Sequence, residues 1–150
     1  MALQNLLDLS TKRRKIGLSE ERIEEIKPVL RQYISYWREY PDMFIDFLQT
    51  GVDGEIPADG LKFFFYQRVF LRIAMRFKYV YAVFPRAYSK SFLSVMALMI
   101  RCILFPGVHL FVTSGGKEQA AGIIKEKVDE ICNLVPAFNR ELDLRPGKTR

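Results

Sequence analysis

The chain has little of what metal sites and disulfide frameworks are made from. Its 150 residues include one histidine, His109, and two cysteines, Cys102 and Cys132, thirty positions apart. No zinc site with ordinary Cys/His spacing can be assembled from that set, and a disulfide scaffold is equally excluded. The two thiols suit a reducing cytosol, and each is expected to be a small buried apolar residue. Long hydrophobic runs are missing too. The most apolar stretch, Phe92 to Phe105, is too short to span a bilayer and contains Arg101. The start of the chain, Met1 to Asp8, has no basic segment leading into an apolar one, so neither an export signal nor a membrane anchor is expected.

What is present is a globular composition: 49% hydrophobic and 27% charged, with twelve Phe, seven Tyr and one Trp. The length suits one ordinary domain. Charge is unevenly spread. Residues 1–60 hold eight Lys/Arg against eleven Asp/Glu, a net of −3, while residues 61–150 hold fifteen against six, a net of +9. A basic second half favours a polyanionic partner, nucleotide or nucleic acid, although solubility alone would also account for it. The cluster Lys12-Arg13-Arg14-Lys15 reads as a solvated linker rather than a nucleic-acid arm.

Residues 1–60 read as a helical segment. Ser19 is a good N-cap with Glu20 and Glu21 in the first turn, and Ile23, Ile26, Leu30, Tyr33, Ile34 and Trp37 follow at helical spacing across Pro28. Pro41 opens a second helix, and Gly51 to Gly60 is a loop and the best boundary in the chain. Residues 61–150 read differently. Leu61 to Phe77 is a buried helix with Arg68, Arg72 and Arg76 stacked at four-residue spacing. Lys78 to Phe84 is aromatic and β-branched, as a buried strand is. A helix from Lys90 to about Leu104 closes at Phe105-Pro106-Gly107. His109 to Thr113 makes a second strand, and Lys117 to about Leu134 a further helix. That alternation predicts an α/β fold, a parallel sheet covered by helices, preceded by the small helical N-terminal subdomain.

The segment Phe84-Pro85-Arg86-Ala87-Tyr88-Ser89-Lys90-Ser91 lies between predicted strand and helix, where α/β sheets bind ligands. A phosphate loop needs converging backbone N–H groups, a lysine for the terminal phosphates and a hydroxyl for Mg²⁺ at the helix start. Lys90 and Ser91 stand in that order. The pattern G-x-x-x-x-G-K-[ST] has glycine where this chain has Phe84 and Ser89, and a Lys-Ser pair is also an ordinary way to begin a surface helix. Three further features favour phosphate: Arg86 as a second cation, Gln67 in an aromatic helix upstream, and Thr113-Ser114-Gly115-Gly116-Lys117-Glu118-Gln119-Ala120 after the second strand. Two of the three have a plainer alternative, Gln67 as a polar residue on a buried helix and the glycine turn as a simple cap.

Pro85 to Ser91 resembles the deviant Walker A loop of tailed-bacteriophage terminase large subunits, which often reads P-R-x-x-G-K-[ST]. Trp37-Arg38-Glu39-Tyr40-Pro41-Asp42-Met43-Phe44, the Gln67 position and the Thr113 to Ala120 stretch resemble segments of the same family, so the likeness covers about Tyr36 to Ile131. The resemblance implies a partial P-loop NTPase core that binds ATP and Mg²⁺. Pro85, Arg86, Ala87, Tyr88, Ser89, Lys90 and Ser91 would form the nucleotide loop. Lys90 would contact the β and γ phosphates, Arg86 would approach the γ-phosphate, Ser91 would bind the metal and Gln67 would read adenine. It further implies a viral genome-packaging hydrolase acting on double-stranded DNA, with the portal protein and the terminase small subunit as partners. Such a motor forms a homo-oligomeric ring on the portal, in the cytoplasm of the bacterial host.

Hydrolysis in such a core also needs carboxylates ending a further apolar strand. Asp129-Glu130 follows Lys125-Glu126-Lys127-Val128, an amphipathic helix pattern, and is rejected as that pair. The chain therefore reads as the N-terminal piece of a longer motor protein. Two rivals stand beside it: another motor or helicase-like P-loop ATPase fragment, and a non-enzymatic interaction module with a degenerate loop.

Overall fold

A computed structural model of the chain describes residues 19–50, 54–113 and 115–142. The basic cluster at Lys12 to Lys15, the loop residues Gly51 to Asp53 and the terminal Lys148-Thr149-Arg150 lie outside them. Among the described residues six helices follow one another: α1 Glu20–Glu39, α2 Pro41–Gln49, α3 Phe65–Arg76, α4 Lys90–Leu104, α5 Lys117–Leu134 and α6 Phe138–Glu141. The start signals act as expected. The Ser19 hydroxyl accepts from the Arg22 amide, and Pro41 takes the first helical position of α2, where its missing N–H costs nothing.

The α/β expectation is overturned. Among the described residues there is no strand and no sheet, so the parallel sheet of a P-loop fold is not formed. Residues 78–84 and 109–113, both expected to be strands, are irregular in backbone pairing. None of their N–H or C=O groups bonds to another backbone group among the described residues. The physical reason lies in what each signal encodes. β-branched and aromatic residues at period two favour an extended backbone, but a ladder needs a second strand within hydrogen-bonding distance, and neither segment has one among the described residues.

The core is built from helices instead. α4 packs on both α3 and α5, and α1 and α2 pack on α3, with α1 reaching α4 as well. Leu93, Met96 and Ile100 of α4 are fully buried with Ile45, Leu71, Ile131, Val135 and Phe138. Trp37 belongs to the same core, its ring 5.1 Å from that of Phe44 and 4.7 Å from that of Phe47. Arg38 reaches across to the end of α4, where Nε and Nη2 donate to the Leu104 carbonyl at 2.9 and 2.7 Å. That bond satisfies a carbonyl the helix itself leaves open.

Two details differ from the sequence reading. α3 begins at Phe65 and not at Leu61, because Gln49 holds the Leu61 backbone outside the helix. Its Oε1 accepts from Leu61 N at 2.6 Å and its Nε2 donates to Leu61 O at 3.2 Å. Cys132 is buried as expected, but Cys102 is exposed. Position 102 falls on the ridge of α4 that carries the exposed Ser94 and the half-buried Leu98, away from the centre of the core.

Candidate phosphate-binding loop

Residues 85–89 turn the chain from the extended segment into α4. Two of them hold the left-handed backbone conformation that L-residues avoid: Ala87 at φ 67° and Ser89 at φ 53°. Ser89, the N-cap of α4, stands where the phosphate-loop pattern asks for its second glycine, and the backbone there has the conformation that glycine favours.

The helix that follows is open at its N-terminus. Ser89 makes no side-chain cap, and the first turn holds no acidic residue. The first backbone donor with a partner is Leu93, bonded to Ser89 O at 2.9 Å, so the amides of Lys90, Ser91 and Phe92 donate to nothing among the described residues. Three free N–H groups at the positive end of a fifteen-residue helix form an anion-favouring surface. A lysine at the first position is unfavourable with respect to the same dipole, so Lys90 is not placed there for helix stability. Arg86 and Lys90 are both exposed and neither has an ion-pair partner among the described residues, while Ser91 is half-buried.

The structure ties this loop to α3. The Tyr88 ring lies 5.5 Å from that of Tyr66, and the Phe84 ring meets Phe70 edge-on at 5.3 Å. Tyr66 adjoins Gln67, so the N-terminus of α3 and the loop are neighbours. Gln67 itself is buried. Its Oε1 accepts from the Phe64 amide at 2.9 Å, closing the first turn of α3, and its Nε2 has no hydrogen bond among the described residues. The glycine turn is described only in part. Gly116 is the N-cap of α5 and its carbonyl accepts from Ala120, whereas Ser114 and the side chains of Lys117 and Gln119 lie outside the described residues.

Asp129 and Glu130 are exposed on α5, the helix their pattern predicts, and Glu130 accepts from Lys127 at 2.8 Å. Among the described residues no three His, Cys, Asp or Glu side chains gather into a metal site. No helix among them is long and apolar enough to cross a membrane.

Sequence reasoning missed a second charged constellation. Asp42, fully buried, is gripped by Arg72 and Arg68, and Arg68 also holds Asp46. Its signal was legible: two aspartates four residues apart on α2 match two arginines four residues apart on α3.

No protein-family model, curated protein or solved structure matches this chain.

Proposed function

We propose that residues 85–91 are a phosphate-binding loop and that the chain serves as the nucleotide-binding part of an ATP-driven DNA-packaging motor of the terminase large-subunit kind. The observation that carries the reading is the left-handed Ser89 running directly into the three unpartnered amides of α4. Loop curvature, free donors and an adjacent lysine are the combination that phosphate recognition requires.

In this reading Lys90 donates to the β and γ phosphate oxygens, and Arg86 meets the γ-phosphate. The Gln67 Nε2 faces the adenine edge, near the Tyr66–Tyr88 ring pair. Ser91 is the one hydroxyl offered to Mg²⁺. The stretch between Asp59 and Glu118 has no acidic residue, so any carboxylate ligand of such an ion would come from elsewhere. The wider reading follows the terminase resemblance: translocation of double-stranded DNA through a portal, in the host cytoplasm, with the small subunit as a partner.

Titration with a fluorescent ATP analogue tests the assignment. Lys90→Ala should weaken binding by about tenfold to a hundredfold, the worth of a charge-assisted hydrogen bond to phosphate. Arg86→Ala should weaken ATP more than ADP. An intact fold that binds ATP equally well with and without Lys90 would rule the loop out.

A further inference from the structure

The acid-free stretch between Asp59 and Glu118 contains nine Lys/Arg. Arg68, Arg72 and Arg76 are matched by acids of α1 and α2. Lys78, Lys90 and Arg101 have no such match among the described residues, and all three line one groove of about 380 Å³ between α3, α4 and the extended segment. Lys90 and Arg101 stand eleven positions apart on α4, roughly 16 Å at the helical rise, so the cations are spread along the groove. Its lining includes Phe70, Ala74, Val80, Ala82 and Phe84 and no acidic side chain.

Arg101 is incompletely satisfied. Its Nη2 donates to the Met75 carbonyl at 3.3 Å, but its Nε is buried and finds no acceptor among the described residues. The Nε is closed to solvent, but Arg101 lines the groove, and a carboxylate is the group whose geometry suits guanidinium.

The wall of the groove is the segment 78–84. Val80, Ala82 and Phe84 line the groove, while Tyr79, Tyr81 and Val83 are 84%, 94% and 78% exposed. That alternation is strand-like, and no backbone group from Lys78 to Phe84 is hydrogen-bonded to another backbone group within the described residues. An apolar, β-prone edge of this kind is a template for another extended chain.

We propose that the groove and the edge together receive an extended acidic polypeptide segment, which hydrogen-bonds along residues 78–84 and sets a carboxylate on Arg101 and Lys78. Charge complementarity selects an acidic occupant. The free main-chain donors and the apolar lining select a polypeptide over a nucleic acid, which would meet the cations but leave the backbone edge unpaired. The groove shares Phe84 and Lys90 with the phosphate loop, but the carboxylate is set on Arg101 and Lys78, which the phosphate reading does not use, so the two can fail separately.

The test uses three probes on the full chain. One is a fluorescent peptide of alternating valine and threonine carrying two glutamates, the second its glutamine counterpart, the third an oligothymidylate. The glutamate peptide should bind, should slow hydrogen exchange at the Val80 and Ala82 amides or their neighbours, and should outbind the glutamine peptide. Arg101→Gln, which removes the guanidinium, and Lys78→Gln should each cut that preference by about tenfold, the usual weight of a charge-assisted bond. Circular dichroism melts establish that both variants are folded, and Lys78→Gln, at an exposed position, keeps the test usable if Arg101→Gln is not. Absence of peptide binding, equal binding of the two peptides, or an undiminished preference in the folded variants overturns the proposal. So does oligothymidylate binding that displaces the glutamate peptide and is lost in Tyr81→Ser, which would assign the surface to nucleic acid.

Discussion

Arg72 grips Asp42 through two parallel bonds, Nε to Oδ1 at 2.8 Å and Nη2 to Oδ2 at 2.7 Å. Asp42 is fully buried, and Arg68 adds a third bond to the same carboxylate at 3.0 Å. One turn further along, Arg76 meets Glu39 with both partners half exposed. The three arginines of α3 thus run antiparallel to Glu39, Asp42 and Asp46. The rungs are unequal because burial is unequal: a surface pair is worth little, whereas breaking a buried one leaves a desolvated charge. Asp42→Ala should therefore lower stability by about 2–4 kcal/mol, less than the extreme because both arginines can reach water. Arg76→Ala should cost under about 1 kcal/mol. Urea melts of the two variants check the ratio.

The same carboxylate gives an acid limb to stability. Burial works against its charged form, but the hydrogen bonds from Arg72 and Arg68 outweigh it and hold the Asp42 pKa below the ordinary 3.8. A carboxyl whose folded pKa is depressed adds stability above its unfolded pKa and loses it as pH falls toward the folded value. Stability should fall from about pH 4 downward, and more steeply in the parent chain than in Asp42→Asn. Equal acid slopes in denaturant melts would remove Asp42 from the account.

Ser89 and Ala87 are strained positions, and glycine should relieve them. Left-handed backbone costs an L-residue about 1–2 kcal/mol, offset in part by the greater freedom glycine has when unfolded. Ser89→Gly should be neutral or stabilising by up to about 1 kcal/mol. It also supplies the glycine that the phosphate-loop pattern requires, so ATP-analogue affinity should hold or rise. A loss of both stability and affinity would mean that the Ser89 side chain serves the loop directly.

Part of this architecture is written locally and part is not. α4 was legible from Lys90 to Leu104 because apolar periodicity, the preceding turn residues and Pro106 all mark the same helix. The arginine stripe on α3 was visible, and the equal four-residue spacing of Asp42 and Asp46 on α2 was the signal for its partners. The strands failed for a different reason. Tyr79-Val80-Tyr81 encodes an extended backbone in its own composition, while pairing depends on a partner that no local pattern specifies. The loop's left-handed residues were hidden as well, because neither Ala87 nor Ser89 is the glycine that announces such a conformation.

Apolar residues should divide sharply by burial. Leu93 and Ile100 are fully buried at the centre of α4, and Tyr81 is 94% exposed. Leu93→Ala or Ile100→Ala should cost about 2–5 kcal/mol through lost transfer energy and the cavity left behind. Tyr81→Ser should stay within about 0.5 kcal/mol in the isolated chain. A large loss at Tyr81 in dilute solution would reveal a contact already made there.

Gly60 offers a purely steric prediction. A Cβ at this position would lie 2.7 Å from Ile56 Cγ2 and 2.9 Å from the Pro57 carbonyl oxygen. The side-chain contact can yield by rotation, but the carbonyl cannot, because it accepts the Gly60 amide at 2.8 Å and defines the turn. That turn delivers Leu61 to Gln49, whose two bonds fix the approach to α3. Gly60→Ala should therefore loosen more than one contact, costing about 1–3 kcal/mol as overpacking does. Gln49→Ala should release the same link from the other side. If the turn is the common cause, the double variant should cost less than the sum of the two single variants, since neighbours sharing one structural element are not additive. Thermal melts of the two single variants and the double variant decide it, and strict additivity would separate the glycine from the glutamine clasp.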